Sequence, residues 1–264
     1  MALFDERPAD AEHFALEHEG EQNVLRFLPA PPFADVRLFM RGPLLEGTEG
    51  AAAAIRARLV PLLGPEGPLM APRQVHGVRV LDSALEDTLP ARLEGDGILL
   101  TEPGIEVSLR FADCAPLLVI PCEEQARGRP WVLMLHSGYK GTVQNIARAG
   151  LEKVARTFGS GAVASALAWV GPCIGGNSYP RTLEEWTERG LAIFHPDNVR
   201  EADGHYYFDI AGELRRQLMD CGIGPERIFL SRMDTASRRE TCYSYRGGDR
   251  ADRMFLHARL TPLP

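Results

Sequence analysis

Gln74-Val75-His76-Gly77, Ala112-Asp113-Cys114 and His136-Ser137-Gly138-Tyr139-Lys140-Gly141 are three polar islands within the stretch from Arg73 to Gly141. Around them run apolar segments at residues 98–101, 105–111, 116–120 and 131–135, punctuated by Asp96-Gly97 and Pro103-Gly104. Such runs between turn residues predict strands. A polar interruption between buried strands is where a site is expected. Each island carries one soft or borderline donor: the imidazole of His76, the thiol of Cys114 and the imidazole of His136.

Working outward, residues 23–28 and 36–40 read as short strands, separated by Pro29, Pro31 and Pro32, which end a strand instead of continuing it. Ile55, Leu59 and Leu63, spaced by four, predict an amphipathic helix over 49–63 that stops at Gly64-Pro65. Residues 74–81 alternate well enough to predict a strand. After the third island, Thr142 is the expected N-cap of a helix. Val143, Ile146, Ala147, Leu151, Val154 and Phe158 form that helix's apolar face.

Farther on, a strand over 166–170 runs into Gly171-Pro172-Cys173-Ile174-Gly175-Gly176. Residues 183–193 read as helix and 206–208 as a short strand. Asp209 caps a helix reaching Cys221, and strands at 228–231 and 254–260 enclose an Arg-bearing loop. Strands cluster while helices are interspersed irregularly, so the expected class is α+β and not strict βαβ repetition. No linker divides the chain. A single domain over 1–264 is expected, with residues 1–21 as a solvated acidic arm.

The formal net charge of −7 and pI near 5.6 argue against a nucleic-acid-binding surface, which needs an electropositive face. Arg232, Arg238, Arg239, Arg246, Arg250 and Arg253 are a local exception. They read either as a solvated, ion-paired face or as a small anion site. Five cysteines with no C-x-x-C pair do not form a disulfide framework. The first residues lack a signal-peptide pattern, and no run of about 18 apolar residues occurs. A reducing cytoplasm and no membrane partner are therefore expected.

Two imidazoles and a thiolate suit Zn²⁺ and leave a fourth position open to water. Two other readings stand beside this one. Cys114 could act as a metal-free nucleophile with His76 or His136 as base, or the triplet could hold a purely structural zinc. The remaining cysteines and histidines read as structural or surface residues.

The ordered islands, with Asp96-Gly97-Ile98, Gly171-Pro172-Cys173-Ile174-Gly175 and Ser244-Tyr245-Arg246, resemble the laccase-domain family from about residue 70 onward. The resemblance implies one α+β domain, its central β-sheet layers flanked by helices, similar to the catalytic domain of a deamidating bacterial toxin. It implies zinc on His76, Cys114 and His136. It further implies phosphorolysis of adenosine, inosine, guanosine or methylthioadenosine, and hydrolytic deamination of adenosine. An older description of the family is copper-dependent polyphenol oxidation. Here 7 His and no His-x-His pair argue against multicopper chemistry, although copper suits the triplet by affinity.

For phosphorolysis, Lys140 and Arg246 are expected to neutralise charge. Asp113 is expected to orient a ligand or serve as acid/base, its alternative being a turn-capping carboxylate. Gln74 is expected to bind the base edge or to orient His76. The substrates implied are a purine nucleoside and phosphate. The chain departs from the family at Tyr139-Lys140, where Trp-Arg is usual, at Asp234-Thr235 in place of Cys-Thr, and at Phe111 in place of Thr.

Overall fold

The apolar runs build two six-stranded sheets in the computed structural model, which describes residues 9–85, 92–126 and 129–261. The strands begin with β1 (Phe14–Glu19), β2 (Gln22–Phe27), β3 (Ala34–Phe39), β4 (Leu69–Met70), β5 (Val80–Asp82), β6 (Gly97–Leu100) and β7 (Glu106–Phe111). They continue as β8 (Ala115–Ile120), β9 (Val132–Ser137), β10 (Leu167–Val170), β11 (Val199–Ala202), β12 (His205–Phe208), β13 (Ile228–Leu230) and β14 (Met254–Leu260). The helices are α1 (Ala52–Arg58), α2 (Val60–Leu63), α3 (Glu123–Ala126), α4 (Tyr139–Val143), α5 (Ile146–Phe158), α6 (Ser160–Ala164), α7 (Glu185–Ile193) and α8 (Ile210–Asp220).

The first sheet runs β1-β2-β3-β14-β7-β4 and the second β13-β10-β8-β9-β6-β5, while β11 and β12 form a separate hairpin. Central pairs are antiparallel; the edge pairs β4–β7, β5–β6 and β10–β13 are parallel. The fold is a single α+β domain with mixed sheets, as expected. Every residue of β6, β8 and β9 is buried. Leu118, Ile120, Val132 and Met134 join the core shared with the first sheet. Their neighbours Leu117, Val119, Leu133 and Leu135 pack with Ile146, Leu151, Leu214 and Leu218 of α5 and α8. Burial on both faces explains why these strands are continuous apolar runs instead of alternating ones. Gly150 lets α5 lie close, because a Cβ there would stand 2.9 Å from a methyl of Leu135.

Several expectations change. Within the expected acidic arm, Phe14–Glu19 is an edge strand on β2, with Arg26 paired to Glu17 and Glu19; residues 1–8 lie outside the described residues. The helix expected over 49–63 divides at Leu59, since Pro61 has no N–H and its ring opposes the preceding turn. Of the strand expected over 74–81 only Val80 and Leu81 join a strand, β5, because the chain turns left-handed at His76 (φ 60°). Thr142 lies inside α4, not at a cap; Asn145, at φ 61°, caps α5 by accepting from Arg148 N at 3.0 Å. The strand β11 was not anticipated, its pattern being neither apolar nor alternating.

Glu106, at one end of β7, is buried against Arg56 of α1 and His257 of β14. Its Oε1 accepts from Arg56 at 2.7 Å and its Oε2 from His257 at 3.0 Å. Burial pushes this carboxyl up, but Arg56 and His257 overcome it and hold the pKa at about 2, below the ordinary 4.5. A depressed carboxylate stabilises the fold above its unfolded pKa and loses that contribution as pH falls from 4.5 toward about 2. The contribution is on the order of 3 kcal/mol at neutral pH. In urea unfolding at pH 7, Glu106→Gln is expected to cost about 3 kcal/mol, since Arg56 is left buried without its partner. Its stability should then vary less between pH 4.5 and 2 than that of the wild type.

Candidate metal centre

Cys114 ends the connection from β7 to β8, and His136 stands near the C-terminal end of β9. Because β8 and β9 pair with Pro116 opposite His136, the ladder itself brings Cys114 beside Gly138. His76 arrives from the loop before β5. The donor atoms of His76, Cys114 and His136 all lie within 4.8 Å of one another. Tetrahedral ligands at about 2.0–2.3 Å from one ion stand roughly 3.3–3.8 Å apart, so an inward shift of about 1 Å or less completes the site.

Asp96 holds this arrangement. Fully buried, it precedes β6, and its Oδ1 is 2.9 Å from His136 Nδ1. The same carboxylate accepts from the backbone N–H of Val75 (3.1 Å), His76 (2.9 Å) and Gly77 (2.8 Å). It therefore positions both imidazoles, one by its ring and one by its loop. Burial works against its charge, yet the bonds from His136, Gly77 and Val75 hold its pKa below the ordinary carboxylate value. Burial lowers the pKa of His136, so the ring is neutral near pH 7 and offers Nε2 toward the centre. In the sequence Asp96 reads as half of a turn and as part of the Asp96-Gly97-Ile98 piece of the resemblance, with no role of its own. The clue to its role was chemical: a ligating imidazole usually donates its other N–H to a carboxylate.

The Cys114 thiol is pushed up to about 12 by burial, with Asp113 and Asp96 adding to the effect. A thiolate here needs a compensating cation, which the zinc reading supplies and the metal-free reading lacks. Gly138 leaves room for the donors: a Cβ at this position would sit 2.6 Å from the Cys114 sulfur and 3.0 Å from His76 Cδ2. That contact is the physical reason for glycine in His136-Ser137-Gly138.

The three donors lie at the wall of a cavity of about 950 Å³ that also receives Gln74, Asp113, Lys140 and Arg246. Asp113, left-handed at φ 83°, accepts from Thr235 Oγ1 at 2.8 Å and from Arg246 N at 2.7 Å. It thereby ties the Cys114 turn to the late Ser244-Tyr245-Arg246 motif. The hydrogen bonds of Gln74 all go to Arg110, its Oε1 accepting from Arg110 N at 2.9 Å and its Nε2 donating to Arg110 O at 2.8 Å. Orienting His76 falls to Asp96 instead. Lys140 Nζ lies 4.8 Å from the centre of the Trp186 ring, and the Arg246 guanidinium lies 4.6 Å from that of Tyr179. Asp234 accepts from Gly175 N at 2.7 Å and from Ser178 Oγ at 2.6 Å, so the departure from Cys at this position still fixes the glycine turn. Cys173 and Cys242 are buried and stand outside the group of three donors.

Residues 46–259 match the family described as multi-copper polyphenol oxidoreductase laccase. The chain belongs to this family. A relative from Deinococcus radiodurans, named purine nucleoside phosphorylase, is 32% identical over 193 residues, covering 72% of this chain and 70% of that protein. Purine nucleoside phosphorylase YlmD of Bacillus subtilis is 30% identical over 174 residues, covering 64% and 57% respectively. Among solved structures, YlmD from Geobacillus stearothermophilus superposes with TM-score 0.76 at 24% identity, covering 97% of this chain and all (100%) of that one. Bacillus licheniformis YfiH gives TM-score 0.78 at 19% identity, covering 94% and 99%. These two likenesses bear on the fold. The family's descriptive name promises several coppers, but the described residues hold one group of three donors. Among them, no helix is long and apolar enough to cross a membrane.

Asp96→Asn should lower zinc affinity by about 10–100-fold in competition with a chromogenic chelator. Gly138→Ala should weaken binding of an added divalent metal while keeping the wild-type circular dichroism spectrum, because its methyl group displaces the donors and not the core.

Proposed function

We propose that this chain is a zinc-dependent purine nucleoside phosphorylase acting on adenosine, inosine, guanosine or methylthioadenosine, with hydrolytic deamination of adenosine as a second activity. The observation that carries the reading is the set of three donors within 4.8 Å, at the wall of a cavity that Lys140 and Arg246 also line. His76 Nδ1 or Nε2, Cys114 Sγ and His136 Nε2 would hold the ion. When bound, zinc would supply Lewis-acid charge beside the cavity. Copper suits the same donors by affinity.

In phosphorolysis a phosphate oxygen bonds to the anomeric carbon, the glycosidic C–N bond breaks, and its electron pair leaves with the purine. Lys140 and Arg246 hold the phosphate and offset charge as it moves. Lys140 does so as a point charge where a guanidinium would form a fork. Asp113 keeps Arg246 in place through the backbone N–H and is our candidate for moving a proton at its Oδ2. A metal-free Cys/His hydrolase or deamidase is the competing reading, and a thiol pKa near 12 weighs against it.

Purified protein incubated with adenosine and phosphate should release adenine and ribose 1-phosphate, with inosine reporting deamination. Cys114→Ala and His76→Ala should each lower both rates by about 100-fold or more. Neither product above those controls, or full activity in protein stripped of metal, would overturn the proposal.

A further inference from the structure

The cavity carries more positive charge than a neutral nucleoside and one phosphate can balance. Its lining has eight Lys or Arg side chains and two carboxylates, Glu49 and Asp113, in a chain whose net charge is −7. Two of the cations are locally paired, Arg73 with Glu94 and Arg181 with Glu184. Lys140 and Arg246 lie over aromatic rings and serve the phosphate of the proposed reaction.

Three further guanidiniums of the lining are held mainly by carbonyl oxygens, Arg253 also lying 5.9 Å from the centre of the Tyr245 ring. Arg92 donates to the carbonyls of Ala71 and Pro72, both at 2.9 Å. Arg110 donates to Pro72 O at 2.5 Å and to Gln74 Oε1 at 2.8 Å. Arg253 donates to Asp252 O at 2.8 Å and Arg250 O at 3.0 Å. Among the described residues these three guanidiniums are held by neutral oxygens, with no carboxylate paired to any of them. Arg110 is deeply placed: burial, with Arg92 and Arg253 nearby, lowers its pKa to about 10. Its position is set by all four hydrogen bonds of Gln74. Like charges held by carbonyl oxygens, with no ion pair to any of them among the described residues, form a cradle for an anion, and a guanidinium fork suits phosphoryl oxygens.

We infer that Arg92, Arg110 and Arg253 form a second phosphoryl subsite, so that the preferred ligand of the cavity is a phosphorylated nucleoside. A phosphate monoester carries about −1.5 to −2 charge at pH 7, enough to offset the excess that inorganic phosphate leaves. Arg253 also acts electrostatically on Cys114, and Arg110 on His136, which sets the subsite beside the candidate metal centre and on the same cavity. The inference rests on the nucleoside reading for its ligand class, while its test reads binding and needs no turnover.

Calorimetric titration of the metal-loaded protein with adenosine and with 5′-AMP should show 5′-AMP binding at least about tenfold tighter, with the preference shrinking as salt rises. In Arg253→Gln, and independently in the more peripheral Arg92→Gln, the ratio of the two affinities should fall toward one. Circular dichroism confirms that each variant is folded. Equal affinity for the two ligands in the wild type, no binding of 5′-AMP, or a preference that survives both substitutions overturns the inference. Failure of the phosphorolysis assay with an intact 5′-AMP preference would instead fault the proposed reaction.

Discussion

One buried carboxylate organises the centre. Asp96 accepts from three consecutive backbone N–H groups around His76 and from the ring of His136. These bonds keep a left-handed, strained turn at His76 in place. They also select which nitrogen of His136 faces the cavity. A carboxylate sealed from water is costly unless fully hydrogen-bonded, and here each oxygen has two donors. The same saturation that stabilises the charge makes the geometry rigid, because no bond can be given up without exposing a buried ion to a poor environment.

The second sheet supplies the platform. Its strands are buried on both faces, so β8 and β9 cannot slide relative to each other without moving Leu117, Val119, Leu133 and Leu135 out of the helix-facing core. Register therefore fixes the separation of Cys114 and His136. The donors end up where the apolar ladder stops and the cavity begins, an arrangement that lets a tightly packed core hold polar groups at its margin. Gly138 is the local cost of bringing sulfur and imidazole so close to the backbone.

Charge is distributed unevenly. The chain is acidic as a whole, yet its cavity is strongly basic. Several of the guanidiniums there are held by carbonyls or lie over rings, arrangements that fix their positions without cancelling their charge. A low-dielectric wall then lets those charges act at longer range than they would at an open surface. The proposed recognition of a purine with phosphoryl groups rests on this contrast more than on overall composition.

The apolar strands of the second sheet, the α+β class and the three donors were legible from residues alone, because apolar runs between turn residues and soft donors at their ends are local patterns. The splitting of the helix at Leu59 is equally local, since Pro61 interrupts the helix although the apolar spacing of Ile55, Leu59 and Leu63 continues through it. Asp96 was different. It lies 20 residues from His76 and 40 from His136, and nothing in its neighbours marks it as more than a turn. The roles of Gln74 and of the cationic wall were likewise hidden, since Arg92, Arg110 and Arg253 come from separate segments and meet only in space. Sequence determined which chemistries were at hand, since donor type and apolar pattern belong to single residues and their near neighbours. Tertiary structure alone decided which carboxylate, glycine and guanidiniums serve them, because hydrogen-bond saturation and unbalanced charge are properties of groups brought together from distant parts of the chain.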